Sequence, residues 1–410
     1  MDTRKFSDAS PFWRSVPVII VVGCAIAALS FGPRSTMGFF LTPMSSEHGW
    51  GREVFALAIA IQNLTWGAAQ PFAGMVADKF GTARVMTVGA LLYALGLVLM
   101  AHTTDPLALQ LTAGVMIGLG VAGSAFVLVL AAFARLLPAR MRTTAYGLGT
   151  AAGSLGQFIF APLGQGFIQL YGWQTALILM GAIILVVPVL SVVLKGKPSA
   201  VPTVAGRADQ SIREALTEAF RHRSYQLLVA GFFVCGFQIA FITVHLPAHL
   251  SDIGIPALYG GYAIGLIGFF NIVGALGSGV LSGRMPNRLI LSALYFLRAV
   301  AIVIFIMTPP SITSVLIFSA TMGLMWLSTV PPTQALVALM FGTRYMATLF
   351  GFVFFSHQVG SFFGIWLGGR LYDVTGSYDG VWWISVALGI FAAIVHLPIV
   401  ERPVPRPAVA

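Results

Sequence analysis

Hydrophobic residues along this chain come in long unbroken runs, and the polar positions are gathered between them. Counting runs between breaks gives twelve: 15–42, 53–78, 85–103, 106–136, 144–170, 173–194, 226–250, 258–282, 289–308, 311–341, 346–371 and 379–400. At about 1.5 Å of rise per residue, each is long enough to cross a hydrocarbon layer of about 30 Å. Lipid offers the backbone no hydrogen-bond partner, so a spanning segment bonds within itself. Continuous runs without period-two alternation therefore predict helices and not a barrel.

The pattern is interrupted once, between Lys195 and Arg223, where charged residues and prolines concentrate. Within it Ser211 and Glu214 have capping-box spacing, and Ile212, Ala215, Leu216, Ala219 and Phe220 make one apolar stripe at helical spacing. The expectation is a short amphipathic helix lying flat on the membrane surface. This polar segment divides the chain into residues 1–194, a linker at 195–225, and residues 226–410. The two halves repeat with an offset of about 204 residues, since Gly147, Gly156, Gly164 and Gly172 map onto Gly351, Gly360, Gly368 and Gly376. The basic turn Gly74 to Arg84 likewise maps onto Gly279 to Arg288. The predicted fold is an all-α polytopic membrane protein of twelve helices in two pseudo-symmetric six-helix bundles.

Composition sharpens this picture. With 58% hydrophobic and 9% charged residues among 410, a soluble enzyme is excluded. Cys24 and Cys235 both sit inside apolar runs and supply neither a disulfide framework nor a metal motif. A net charge of +10 suggests nucleic acid in a soluble domain, but here the bases lie between spans. Nineteen of the 23 Lys and Arg fall on the side shared by both termini, which the positive-inside rule makes the cytoplasm; the exceptions are Arg34, Arg52, Arg298 and Arg370. Val16 to Thr42 is too long for a signal sequence and is expected to remain as the first span.

The turn Gly74-Met-Val-Ala-Asp78-Lys79-Phe-Gly81-Thr-Ala-Arg84 resembles the signature loop of the major facilitator superfamily. Its glycines permit a tight turn and close helix approach, and Asp78 at a helix end can pair with bases to latch the halves. Gly74, Asp78, Lys79, Gly81, Arg84 and Arg142 are accordingly expected to serve gating; the second copy has Gly283 in place of the acid. The run Arg142 to Gln157, and Gly49-Trp50-Gly51-Arg52, are similar to the monocarboxylate transporter and oxalate/formate antiporter group. Two departures stand out: the first span lacks that group's acidic-Gly-aromatic signature, and Ala275 occupies the position of a substrate-contacting arginine in span eight. The resemblance implies rocker-switch alternating access and an organic anion as substrate.

Ionisable residues at membrane depth cost about 2.5–3.5 kcal/mol each, so every one is a functional candidate. Arg34, roughly 25 Å of helix rise beyond Pro17 and beside a kink at Pro33, is either a substrate anchor or an interfacial arginine reaching outward. His245 and His357, with Gln238 and Gln358 nearby, bind substrate, carry a proton, or rest neutral in a helix interface. Gln62 and Trp66 share a face of span two; Gln157 lies on span five, Asn271 on span eight, and Trp326 before Pro331-Pro332 on span ten, where freed carbonyls suit a midplane site. Arg298 is expected to be structural, reaching headgroups or a neighbouring carbonyl.

No Asp or Glu lies inside a span, which favours an anion over a cation as cargo, and Arg matches a carboxylate bidentately. No phosphate-binding loop is present, hence no ATP drive. The expected function is secondary active transport of a small organic anion, a mono- or dicarboxylate, across a bacterial inner membrane, with both termini cytoplasmic. The alternative is a broad-specificity exporter of amphipathic compounds. The expected partners are the anion, with a proton or a counter-anion, and membrane lipid; no nucleic acid, metal, cofactor or catalytic residue is expected, and the chain is expected to act as a monomer.

Overall fold

The computed structural model describes residues 15–195, 211–342 and 345–404, and among these every regular element is helical. The bases Arg4, Lys5, Arg14, Lys197, Arg207, Arg344 and Arg406 lie outside the described residues. Among the described residues ten stretches are long and apolar enough to cross a membrane. One of them, Arg140–Leu194, holds two spans, because Gly172 leaves the helix at φ 79° and ψ 165°. Span two, Arg52–Phe80, falls below the same hydropathy only because Gln62, Asn63, Gln70 and its charged ends dilute it. The count is therefore twelve, as the hydrophobic pattern predicts. The remaining spans are one at Val16–His48, three at Thr82–Met100, four at Pro106–Leu136, seven at Arg223–Asp252, eight at Ala257–Ser282, nine at Asn287–Met307, ten at Ile312–Phe341, eleven at Met346–Thr375 and twelve at Asp379–His396.

The duplication is visible in the packing. A Cβ placed on Gly156 would lie 2.3 Å from the Ala28 carbonyl of span one, and one on Gly360 would lie 2.0 Å from the Phe233 carbonyl of span seven. Only glycine lets these helices approach so closely. Gly172 and Gly376 end spans five and eleven, both at positive φ, 79° and 72°, with different ψ.

Span ten is broken: its first helix ends at Met325 and its second begins at Val330, with Pro331 in the first turn where a missing N–H costs no helical bond. The backbone groups freed by the break are satisfied by side chains. Arg298, fully buried, donates from Nε to the Met325 carbonyl at 3.1 Å and from its terminal nitrogen to the Met325 and Trp326 carbonyls. Asn271 accepts the Leu327 N–H at 2.8 Å. The linker helix runs Ile212–Arg221 and is closed by the Ser211–Glu214 capping box; its Ala215 and Ala219 are buried, and its Phe220 ring meets Tyr225 and Phe352 at 5.5 and 5.3 Å.

The halves meet along three helix pairs: span one on seven, two on eleven and five on eight. A Cβ on Gly38 would lie 2.4 Å from the Thr243 carbonyl, one on Gly369 2.6 Å from Ala56, and one on Gly268 2.9 Å from the Ser154 carbonyl. The first two lie toward the end where span two begins, and the third near the middle of spans five and eight. Toward the other end of span two, Gly74, Gly147, Gly277, Gly279 and Gly351 face open space, and Phe72 and Met75 are 64% and 58% exposed. The bundles are thus closed against each other at one face and parted at the opposite one.

Candidate functional site

The closed face is held by charge. Arg52 forms a bidentate pair with Asp252, both bonds 2.7 Å, donates to the Tyr378 hydroxyl at 2.8 Å, and lies 3.7 Å over the Tyr372 ring. Asp373 accepts the Arg52 and Glu53 N–H groups, both at 2.8 Å, and so caps the start of span two from the other half. Glu53 in turn accepts from Arg370 and from the Trp366 indole, both at 3.0 Å. Burial pushes the Tyr378 phenol up, so it stays a neutral hydroxyl beside Arg52. Arg52 and Arg370 are two of the four bases that violate the topology rule, which marks them as unusual in the sequence without saying which acids they meet.

Beneath the clamp lies Arg34. Its helix ends at Ser35, just past Pro33, and the chain continues as a 3-10 turn over Met37–Phe40. The half-buried guanidinium donates to Asn63 Oδ1 at 2.5 Å and lies 4.4 Å over Trp66 and 5.5 Å from the Phe31 ring. Among the described residues no carboxylate pairs with it. Trp66 donates its indole N–H to Gln70 at 2.8 Å and meets Phe354 of span eleven edge-on at 5.4 Å; Phe354 stacks on His357 at 5.8 Å. Gln358 donates to the Asn63 carbonyl at 3.0 Å and its Oε1 lies 3.0 Å from His357 Nδ1. Arg34, Trp66, His357 and Gln358 are therefore brought together, with Asn63 as a member that the polarity of span two alone did not single out.

The other candidates are placed elsewhere. Gln62 donates to the Ala113 carbonyl of span four at 2.7 Å and Gln238 to the Ser385 carbonyl of span twelve at 2.9 Å, so each ties helices within one half. His245 is fully buried with both ring nitrogens engaged, by the Tyr378 hydroxyl at 3.2 Å and the Ile365 carbonyl at 2.8 Å. Gln157 donates to the Ile264 carbonyl at 3.0 Å and Asn271 to Ser154 at 2.8 Å, stitching spans five and eight across the interface. Trp326 is buried in the C-terminal core with Phe305, Phe318 and Trp382. At the parted face, Asp78 pairs with Arg135 at 2.8 Å within the N-terminal half, Lys79 lies over Phe80, Arg84 is exposed, and Arg142 donates to the Leu137 carbonyl at 3.0 Å. Gly81 makes the turn at φ 93°. In this conformation the loop's acid holds span two to span four and not one half to the other.

Twelve helices in two matched bundles, closed at one face around a central base, define a polytopic membrane carrier. The Major Facilitator Superfamily profile matches residues 23–365, and the chain belongs to that superfamily, whose members here are transporters and not enzymes. It is 26% identical over 387 residues to the uncharacterized MFS-type transporter YcxA of Bacillus subtilis (strain 168), covering 92% of this chain and 93% of that protein. It is 26% identical over 390 residues to Monocarboxylate transporter 13 of Bos taurus, covering 93% and 89%. Among solved structures, a bacterial homologue of the human lysosomal transporter Spinster, in an inward-facing and unoccupied conformation, superposes with a TM-score of 0.74 at 14% identity, over 94% of this chain and 97% of that one. A D-xylose-proton symporter gives 0.70 at 14% identity, over 94% and 98%.

Proposed function

We propose that this transporter moves a small organic anion, a carboxylate, across a bacterial inner membrane by alternating access, with Arg34 as the anchor for the anionic group. The observation that carries this reading is a half-buried guanidinium that spends one bond on a neutral amide and otherwise faces aromatic rings. A guanidinium has five N–H donors, and leaving it desolvated without an anion is costly. A visiting carboxylate supplies the missing acceptors in bidentate geometry. The relatedness to Monocarboxylate transporter 13 supports the same substrate class. A single base flanked by Trp66, Phe31 and Phe354 suits one carboxylate with an apolar remainder better than a dicarboxylate.

On this reading residues 1–194 and 226–410 are the two rocking bundles, joined by the linker at 195–225. The Arg52 clamp closes the outer face, the parted face opens to the cytoplasm with both termini, and one copy suffices. Counterflow in proteoliposomes tests it: labelled lactate, pyruvate, benzoate or phenylacetate should exchange against unlabelled acid, and a panel of cationic amphipathic compounds should not. Exchange of the cations with none of the acids would replace the carboxylate reading by that of an amphipath exporter.

A further inference from the structure

Spans four and ten are broken at matching places in the two halves, and the breaks are finished differently. Span four stops at Ser124 and resumes at Phe126, with Ala125 between them in extended backbone, φ −58° and ψ 149°. The break in span ten comes about 204 residues later, and the copies keep one bond in common: Ser124 donates to the Gly120 carbonyl at 2.8 Å, and Ser328 to the Leu324 carbonyl at 2.6 Å. In span ten the freed groups are used. Arg298 takes the Met325 and Trp326 carbonyls, Val330 donates to the Leu327 carbonyl at 3.0 Å, and Pro331 and Pro332 have no N–H to offer. In span four the same offset puts Ala94 in the place of Arg298, and Val127 and Leu128 in the places of Pro331 and Pro332. Leu128 donates to the Ala125 carbonyl at 2.9 Å, but among the described residues nothing accepts the Phe126 and Val127 N–H groups. Phe126 is half-buried and Val127 40% exposed, so this break is not sealed over.

The break meets span one at the depth of Arg34. A Cβ on Gly23 would lie 2.4 Å from the Phe133 ring and 2.9 Å from Val129, both in the second helix of span four. Ser30 and Arg34 follow Gly23 at i+7 and i+11, which puts all three on one face of the helix. Spans one and four run antiparallel, so Ser30, about 10.5 Å further along span one than Gly23, is level with Ala125. Helical side chains lean toward the N-terminus, and the Arg34 guanidinium accordingly comes back to 5.5 Å from the ring of Phe31, the neighbour of Ser30. The Ser30 hydroxyl is 4% exposed and has no hydrogen-bond partner among the described residues. A polar group buried in that way costs free energy until a partner arrives.

We propose that the start of the helix Phe126–Leu136 and the Ser30 hydroxyl are the second half of the carboxylate site, facing Arg34 across the bound anion. The inference rests on the anion reading above and adds the donors that complete it. Free N–H groups at the start of a helix bind oxyanions. A cation is excluded from the break by the Arg34 charge at the same depth, since like charges repel strongly where water is scarce. A carboxylate has about four lone-pair positions, more than one planar fork fills, and the remaining ones fall to Phe126 N–H, Val127 N–H and Ser30. The C-terminal half has no such vacancy, because its prolines remove the donors and Arg298 occupies the carbonyls.

The test is equilibrium binding of labelled lactate, pyruvate, benzoate and phenylacetate to purified full-length proteins, each checked by its melting transition. Val127→Pro writes the proline of span ten into span four. It removes a free N–H and no helical bond, and the Val330–Pro331 step shows that a helix can begin this way. Val127→Ala loses the same side chain and keeps the N–H; against it, Val127→Pro should bind the acids about tenfold or more weakly at a similar melting temperature. Ser30→Ala removes a hydroxyl that bonds nothing within the protein, so it should melt no lower than the parent and yet bind severalfold more weakly. Equal affinities of Val127→Pro and Val127→Ala overturn the inference, and if Arg34→Ala at the same time fails to bind, the anchor stands without it. Should Val127→Pro not fold, Ser30→Ala decides in its place, and parental affinity there overturns the inference. Saturable binding retained by Arg34→Ala overturns the anchor reading itself and the shared site with it.

Discussion

Among the described residues, Arg298 and Arg34 sit inside this bundle without a carboxylate paired to them, and they are completed in different ways. Arg298 in the C-terminal half has its donors taken by the Met325 and Trp326 carbonyls and the Cys235 sulfur, and no part of it is exposed. Arg34 in the N-terminal half has one amide acceptor and two aromatic faces, and it is only partly exposed. The comparison teaches that a base at membrane depth is not by itself a binding site. What distinguishes the two is acceptor supply: the broken helix of span ten provides Arg298 with carbonyls, while the helix around Arg34 keeps its carbonyls for itself. Arg298 holds the break in shape, and Arg34 is left short of partners.

The comparison breaks most visibly at Arg34 itself. Arg34→Ala should cost about 3–5 kcal/mol of anion binding, on the order of a 100-fold or greater loss of affinity, with the melting temperature near that of the parent. Arg298→Gln should do the reverse: its carbonyl partners are left unsatisfied in a dry interior, at about 1–3 kcal/mol, so yield and melting temperature fall while affinity in the folded fraction is kept. Measuring both variants by thermal melting and by equilibrium binding of labelled acid separates the two roles. Arg34→Lys retains the charge and loses the planar fork, so a weakening of about tenfold, near 1.4 kcal/mol, should be read in the same binding assay.

A smaller effect belongs to the closed face. Arg52→Gln removes the pair with Asp252, a partly exposed contact between the halves. Such pairs contribute about 1 kcal/mol at most, so the balance between the two access states should shift only severalfold toward outer opening. Labelling of cysteines introduced beneath the clamp by an impermeant reagent should speed up accordingly. Unchanged labelling would show that Asp373 and Glu53 hold the face closed without Arg52.

Much of this was legible in the chain. Run lengths predicted the twelve spans, the Ser211–Glu214 spacing predicted the cap of the linker helix, and the glycine offset between Gly156 and Gly360 predicted a duplication that reappears as matched close approaches to spans one and seven. These features are local or periodic, so sequence carries them directly. The clamp was not legible, because Arg52 meets residues 200 and 321 positions away and nothing local announces the pairing. Gln62 and Gln238 look the same in sequence as Gln358, yet the first two bond to carbonyls within their own half and the third crosses between halves. Which face of a helix a polar side chain leaves by is decided by its neighbours. For the same reason Asn63, the one hydrogen-bond partner of Arg34 described here, became apparent only once spans one and two were side by side.

The most direct measurement is equilibrium binding of a labelled carboxylate, the one with the strongest counterflow, to purified Arg34→Ala and Arg298→Gln proteins, each confirmed folded by its melting transition. If Arg34 is the anchor, the Arg34→Ala protein melts normally and shows no saturable binding, while the folded Arg298→Gln protein binds with the parent affinity. Near-parental binding by Arg34→Ala would contradict the assignment and leave Arg34 as an arginine that reaches toward the membrane surface.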